Sequence, residues 1–407
     1  MRSIDKYAVL SGLYIAQTLP GHFFANVFSV ILRDHGFSLA TIGYLQAVSL
    51  PWMLKFLWAP LVDRVVGPGG RHVQGIVLLE ALFCLLTLGQ AALDFTTQLP
   101  LVVGLMALSA LLAATQDIVT DAMAVRLLTP GERGPGNAVQ TGGNLLGVVL
   151  GSGVGLVVYQ YWGWSAVMIG MAAALLLPLL LLVRLGGAGG LAGAPAPAAG
   201  AGGFRGMLRF FRQDGAVRWT WLMLAANAGS MPCMMMINPL LTDLGFAPSL
   251  IGLLTGVYGV GVGLAGAAAG GWLIARRGRR PALILGCLVN ALAALGLLPL
   301  TLGKVDSAYL VFGLGLPGVG FSLVMTAIGT VAMDFTRPGH EGSDYSLQIA
   351  VSMLGGGLLV GLSGLVAQAV GYVSLYLLCA GLALGAAGLV WRFFQPRALD
   401  DPVAVKA

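Results

Sequence analysis

Long apolar runs recur along the whole chain, and they constrain the fold more than any other feature of the sequence. About 20 consecutive apolar residues in a helix are needed to cross the ~30 Å hydrocarbon core of a bilayer, and many of the runs reach that length. Only 9% of the 407 residues are charged, whereas a soluble domain carries roughly 25%. The sequence therefore predicts an all-α integral membrane protein.

Twelve transmembrane helices are predicted from these runs. Their predicted limits are residues 8–33, 39–63, 73–93, 99–125, 137–160, 164–186, 217–242, 248–275, 281–303, 307–334, 344–368 and 372–394. The connections alternate in charge, and all but three of the 22 basic residues fall on one side, the exceptions being Arg33, Lys55 and Lys304. Because basic loops stay in the cytoplasm, we expect both termini to lie there.

The cysteines and the motif matches exclude several classes of site. Cys84, Cys233, Cys287 and Cys379 lie within apolar runs without a CxxC pair, which predicts buried thiols and neither disulfides nor metal ligands. The G-x-G-x-x-G match at residues 261–266 lies inside a predicted span with no preceding strand, so it does not indicate dinucleotide binding. We expect no metal and no cofactor.

The net charge of +6 does not predict a nucleic-acid partner, because the positive-inside rule explains basic loops such as RRGRRP at residues 276–281. The chain has no GxxxxGK[ST] motif for ATP-driven transport and no HExxH or GxSxG motif for an intramembrane hydrolase. We therefore expect a protein that is not an enzyme.

A Gly/Ala/Pro-rich segment divides the chain into two parts. Residues 187–216 predict a flexible cytoplasmic linker with a basic end that lies on the membrane surface. The expected domains are an N-terminal six-helix bundle at residues 1–186 and a C-terminal six-helix bundle at residues 217–407.

The two parts are weakly similar in sequence. RDHGFSLATIG at residues 33–43 corresponds to TDLGFAPSLIG at residues 242–252, and TPGERGPGNAVQ at residues 129–140 corresponds to RPGHEGSDYSLQ at residues 337–348. Both pairs are separated by nearly the same offset. A duplicated six-span unit in one orientation is typical of major facilitator transporters.

Two stretches carry a more specific resemblance. They are LATIGYLQAVSLPWMLKFLWAPLVDR at residues 39–64 and ATQDIVTDA at residues 114–122, which ERGPGNAVQ follows at residues 132–140. On these residues the chain resembles the major facilitator superfamily and, within it, the AmpG-like branch of muropeptide and siderophore permeases. The resemblance implies the major facilitator fold of two pseudo-symmetric six-helix bundles that rock about a midplane site.

Two departures from the muropeptide permeases favour the RhtX/FptX-type siderophore permeases. The muropeptide group carries a charged pair after the second Asp, where this chain has Met123, Ala124 and Val125 before Arg126, and it often has spans beyond twelve. The resemblance implies proton-driven import of a ferric siderophore, pyochelin- or rhizobactin-like, through the bacterial inner membrane. An anhydromuropeptide permease and a non-transporting receptor or scaffold are the alternatives. We expect a monomer whose partners are this small-molecule cargo and the lipid bilayer.

Five ionisable side chains fall inside predicted spans: Asp117, Asp121, Lys55, Glu80 and His22. Asp117 and Asp121 lie four residues apart on one helical face, where two carboxylates repel unless they share a proton or recruit a cation. Counted from the cytoplasmic ends of their spans, Lys55 and Asp117 lie at similar depth. We expect either a proton-coupling site or a structural cluster of buried charges.

The resemblance also implies which residues face the cargo, because spans one, four, seven and ten line the cavity in major facilitators, and the repeat pairs spans five and eleven. The predicted cavity residues are Gln17, His22, Asn26, Gln116, Gln140, Asn144, Asn227, Ser230, Met231, Met235, Phe321, Met325 and Gln348. The methionine-rich run around Met235 suits a bulky aromatic cargo, and loose packing at a hinge is the alternative.

A degraded form of the superfamily signature Gly-x-x-x-Asp-Arg-x-Gly-Arg-Arg follows span two. It contains Asp63, Arg64 and Arg71, with Ala59 at the place of the leading Gly. The resemblance implies a cytoplasmic gate in which the Asp caps or pairs with a neighbouring helix. The alternative is that the charged residues of this loop only fix the orientation of the spans in the membrane. The predicted gate residues are Asp63, Arg64, Arg71, Arg126, Glu132 and Arg133.

Overall fold

The computed structural model describes residues 3–38, 41, 45–67, 71–186, 203–303 and 307–396, and every regular element within them is a helix. The α-helices are Ser3–His22, Phe28–Asp34, Leu50–Leu54, Ala59–Val66, His72–Ala91, Leu99–Leu127, Arg133–Val148, Gly155–Gly186, Gly203–Leu208, Ala216–Met235, Ile237–Asp243, Pro248–Ile251, Gly259–Arg277, Arg279–Gly296, Leu298–Thr301, Ser307–Asp334 and Glu341–Phe393. The π-helical segments are Phe23–Val27, Val149–Val154 and Gly252–Tyr258, and the 3-10 segments are Gln46–Ser49, Lys55–Leu57 and Arg209–Arg212.

Nine helical segments in the described part of the chain are long and apolar enough to cross a membrane, and two of them are long enough to cross it twice. Arg133–Leu182 has 50 residues and Glu341–Phe393 has 53, so each is ~75 Å long or more, over twice the hydrocarbon thickness. Both are interrupted by a glycine in the left-handed region, Gly163 at φ 75° and Gly371 at φ 81°. Each interruption falls between two predicted spans. The nine helical segments therefore correspond to eleven of the predicted spans.

Span two is a broken helix. Leu50–Leu54 and Ala59–Val66 are α-helical, and the 3-10 segment Lys55–Leu57 joins them. Pro51 and Pro60 occupy the first turns of the two helices, where the missing N–H of proline costs no hydrogen bond. With this broken span the described residues account for the twelve predicted spans, although the start of span two and most of the predicted linker lie outside them.

The chain forms two compact units that do not simply follow its two halves. Unit 1 comprises the described parts of Met1–Leu127, Gly143–Met207 and Thr336–Leu347, and unit 2 comprises those of Leu128–Gly142, Leu208–Phe335 and Gln348–Ala407. The two stretches that join the opposite half are residues 128–142 and 336–347. They coincide with the pair of stretches that correspond in the repeat. The predicted domain limits at residues 1–186 and 217–407 stay a prediction.

Aromatic and small residues fill the cores of the units. In unit 1 the rings of Phe28, Phe95 and Trp164 pack with centroid distances of 5.2 to 5.9 Å. In unit 2 Cys233 and Cys379 lie in one buried cluster. All four cysteines are buried and free, as the sequence predicts.

Three glycines spaced by four residues let span five approach span one within unit 1. An added Cβ would meet Tyr14 Cβ at 2.9 Å from Gly143, and it would overlap Thr18 at Gly147 and the Leu19 backbone at Gly151. This small-residue face brings two backbones close together, as in other membrane helix pairs. It holds span one, which carries Tyr14, in a fixed register.

We expect Gly147→Leu to destabilise the protein by about 1–3 kcal/mol or more, because the new side chain would occupy the volume of Thr18. Thermal unfolding of the detergent-solubilised protein measures the effect. Gly153→Leu is the matched control, since a Cβ there has no atom within 4 Å. Equal melting temperatures for the two variants would show that the close approach is unimportant.

Candidate functional site

A buried cluster of charges lies inside unit 1, where span two meets span four (Leu99–Leu127). The break in span two places Lys55 in a 3-10 turn with only 3% of its surface exposed. Its ammonium group donates to Asp117 Oδ2 and lies 3.5 Å from Asp121 Oδ2. The structure therefore brings Lys55 together with Asp117, which depth counting places at a similar level, and with Asp121 one turn further along span four. The roles of these residues in transport stay predictions.

Span one supplies a neutral donor to each carboxylate of this cluster. Tyr14 Oη donates to Asp121 Oδ1 at 2.9 Å, and Gln17 Nε2 donates to Asp117 Oδ1 at 2.5 Å. Tyr14 and Gln17 lie three residues apart on one face of the helix. Sequence reasoning selected Gln17 but missed Tyr14, although the i, i+3 spacing of two polar groups on an apolar helix was a usable signal.

The charges of this cluster do not balance when both carboxylates are ionised. Lys55 contributes one positive charge, and Asp117 and Asp121 contribute two negative charges. An excess charge in a low-dielectric interior is costly, and a carboxylate pair under such conditions takes up a proton as a unit. One proton shared by the two carboxylates would cancel the excess charge.

Glu80 is separate from this cluster. It lies in span three (His72–Ala91), fully buried, and its Oε2 accepts a hydrogen bond from Gln116 Nε2 of span four. Gln116 was predicted to face the cargo, but its amide is fully buried against Glu80.

At the predicted cytoplasmic end of unit 1, Asp63 caps the helix that begins at Glu341. Its carboxylate accepts from Gly342 N at 3.0 Å, from Ser343 N at 2.8 Å and from Ser343 Oγ. A carboxylate at a helix N-terminus satisfies unpaired N–H groups and stabilises the helix dipole. Arg126 adds an ion pair to Glu341, with 3.4 Å between Nε and Oε1. Both predicted gate residues thus contact the 336–347 stretch.

Unit 2 contains a second set of contacts at residues 128–142, which belong to the N-terminal half of the sequence but pack in unit 2. We call residues 128–142 and 336–347, which join the unit of the opposite half, the exchanged stretches. Arg133 Nη1 lies 2.6 Å from Asp334 Oδ1, and Arg279 Nε lies 3.0 Å from Asp334 Oδ2. Arg279 also donates to the Pro130 carbonyl at 2.8 Å. Sequence reasoning selected Arg133 but treated Arg279 as charge that sets topology, and it did not select Asp334.

The remaining predicted gate residues have different surroundings. Glu132 accepts from the backbone N–H and the hydroxyl of Thr129, at 3.0 and 3.1 Å, so it bonds within its own turn. Arg64 and Arg71 are exposed.

The predicted cavity residues fall into two groups. Several polar ones are buried and hydrogen-bonded inside their own unit: Asn227 donates to Ser352 Oγ at 2.6 Å, Ser230 to the Ala226 carbonyl at 3.1 Å, and Gln348 accepts from Trp219 at 2.9 Å. Those that keep some exposure are His22, Asn26, Gln140, Asn144, Met231, Met235, Phe321 and Met325. The assignment of this second group to a cargo cavity stays a prediction.

The sequence matches the Major Facilitator Superfamily over residues 10–240 and again over residues 220–406. The chain belongs to this superfamily, and it is a multi-pass membrane protein with the fold of a secondary transporter.

Several curated relatives match part of the chain. The anhydromuropeptide permease of Escherichia coli (strain K12) is 33% identical over 177 residues, which are 42% of this chain and 35% of the permease. An uncharacterized protein of Haemophilus influenzae is 32% identical over 159 residues, 39% of this chain and 37% of that protein. The chain thus aligns with little more than a third of the length of these relatives.

Solved structures show the same fold over nearly the whole chain. The human organic anion transporter MFSD10 (TETRAN) has a TM-score of 0.75 at 16% identity and covers 96% of this chain and 100% of its own. The Escherichia coli fucose:proton symporter FucP has a TM-score of 0.68 at 14% identity, with 97% and 100% covered. At these identities the likeness shows the fold alone.

Proposed function

We propose that the chain is a proton-driven importer that works by alternating access between two open states. The observation that carries the coupling proposal is that Lys55 shares one positive charge between Asp117 and Asp121. One bound proton makes the cluster neutral, and its release leaves a net negative charge. Since each charge state favours the conformation that solvates it best, proton binding shifts the balance between conformations.

The proposal includes a location and an orientation. The excess of basic residues on one side of the predicted spans supports the bacterial cytoplasmic membrane with both termini in the cytoplasm. We propose a monomer in which bundles at residues 1–186 and 217–407 move against each other about the 187–216 linker.

The proposed cargo is a ferric siderophore of the pyochelin or rhizobactin kind. Met123, Ala124 and Val125 are buried, so span four is apolar at the place where the resemblance gives muropeptide permeases a charged pair. The partly exposed Met231 and Met235 add a polarizable surface that suits an aromatic iron chelate.

An anhydromuropeptide is the second candidate cargo. It is supported by the 33% identity to a permease of that name, which extends over 42% of this chain. A receptor or scaffold that moves no solute is the remaining alternative.

Uptake by reconstituted vesicles separates these candidates. With the outside more acidic, we expect the protein to accumulate ferric pyochelin that carries radiolabelled iron, and we expect a protonophore to abolish the accumulation. Empty vesicles are the control. Accumulation of labelled anhydromuropeptide without ferric pyochelin would establish the second candidate, and binding without uptake of either solute would favour a receptor.

A further inference from the structure

Glu80 is a fully buried carboxyl group, and among the described residues it has one hydrogen-bond partner, Gln116. Its Oε2 accepts from Gln116 Nε2, while Glu80 Oε1 and Gln116 Oε1 have no hydrogen-bond partner. The two oxygens without partners belong to the same two planar groups that are already in contact. Buried polar atoms are nearly always paired, so the missing partner calls for an explanation.

Among the described residues, Glu80 takes part in no ion pair, and the two helices that pack most extensively against span three bring no cation that balances its charge. Span three packs against span four and against Gly155–Gly186. The charged groups of these helices are Asp117, Asp121, Arg126 and Arg184, of which Arg126 pairs with Glu341 and Arg184 is exposed. Lys55 is engaged by the two aspartates of the charge cluster. An ionised Glu80 would thus be an uncompensated charge in the membrane interior, which is highly unfavourable.

We propose that Glu80 is protonated and forms a neutral acid–amide pair with Gln116. In this pair the Glu80 hydroxyl donates to Gln116 Oε1 while Gln116 Nε2 donates to the Glu80 carbonyl oxygen, so all four polar atoms are satisfied. A single proton removes the buried charge and supplies the missing donor. Unit 1 therefore holds a second proton-binding site, distinct from the cluster at Lys55.

The acid–amide pair fixes span three against span four one residue before Asp117. Two reciprocal hydrogen bonds set the rotation of span four about its axis, and this rotation aims Asp117 at Lys55. The proton on Glu80 stays in place as part of the structure, whereas the proton of the charge cluster is exchanged during transport. Glu80 is accordingly a positioning residue and not a buried charge.

Infrared spectroscopy of the full-length protein in lipid vesicles tests this assignment without any cargo. At neutral pH the wild type is expected to show a carbonyl band of the Glu80 carboxylic acid. The Glu80→Gln variant is expected to lose this band and to keep any band that arises from the charge cluster. Asp117→Asn should retain the band. Asp94→Asn is a matched control, because hydrogen bonds from Thr96 lower the pKa of the exposed Asp94 and keep it ionised. Identical spectra for wild type and Glu80→Gln would overturn the proposal.

Gln116→Leu provides a second measurement if Glu80→Gln fails to fold. With a neutral Glu80 this variant should assemble, and its carboxylic acid band should move to higher frequency because the acceptor is lost. With an ionised Glu80 it would remove the one donor to the carboxylate and abolish assembly, which would contradict the proposal. Disappearance of the wild-type band on addition of sodium ions would contradict it too, since a metal cation would then occupy the site.

Discussion

Replacement of Asp117 by Asn is expected to abolish uphill accumulation of cargo and to leave exchange of cargo across the membrane intact. The asparagine would keep the size of the side chain and an oxygen that can accept from Gln17, but it cannot bind or release a proton. The remaining charges, on Lys55 and Asp121, then cancel at every stage. Without a change of charge the gradient can no longer drive the conformational cycle.

The expected loss of cargo accumulation can be calculated from the proton gradient across the vesicle membrane. One pH unit corresponds to about 1.4 kcal/mol per proton, so one coupled proton supports a concentration ratio of about ten. For the Asp117→Asn variant we expect a ratio of one, measured in vesicles as accumulation of radiolabelled ferric pyochelin, with counterflow at the wild-type rate. Asp94→Asn, at an exposed loop carboxylate, should behave as the wild type. Undiminished accumulation in the Asp117→Asn variant would mean that the charge cluster is only structural.

Replacement of Lys55 by Met should have the largest effect on stability. Met fills a similar volume, but it leaves Asp117 and Asp121 without the ammonium group that both now contact. Breaking a buried ion pair by removal of one partner costs about 3–5 kcal/mol. We expect little folded protein in the membrane, measured as the monodisperse yield after detergent extraction and as the melting temperature.

A second substitution distinguishes lost charge balance from lost packing. Lys55→Met combined with Asp117→Asn removes one charge of each sign, so the yield should recover substantially even though accumulation stays absent. If the double variant is as unstable as Lys55→Met alone, the packing of the lysine stem matters more than its charge. The proposed charge balance would then be wrong.

Most of the fold could be predicted from the sequence because the bilayer imposes a length and a polarity on each span. Seven of the predicted spans correspond to one continuous apolar helical segment each. Four more correspond to the two parts of the long segments that are interrupted at Gly163 and Gly371. The break in span two was not predicted, although Pro51 and Pro60 were visible. A proline can end, begin or kink a helix, and only the neighbouring packing decides which.

The charge cluster was partly predictable because depth along a helix can be counted. That count placed Lys55 level with Asp117, but it carries no information on rotation, so it could not show that Tyr14 reaches Asp121. Gln116 was assigned to the cargo side for the same reason. Arg279 was not predicted as a site residue because the positive-inside rule already explains a basic loop. Asp334 was not predicted because its contact with Arg279 joins residues 55 apart in the chain, which the sequence does not reveal.

The exchanged stretches, 128–142 and 336–347, bear on how such a chain evolves. If the two halves descend from one duplicated unit, as the repeat predicts, each copy contributes one stretch to the compact unit built mainly by the other copy. A substitution at Asp63 is therefore constrained by Gly342 and Ser343, which the other copy encodes. Covariation should link the two copies most strongly at these stretches, and neither copy could be exchanged for a homologous one without its counterpart.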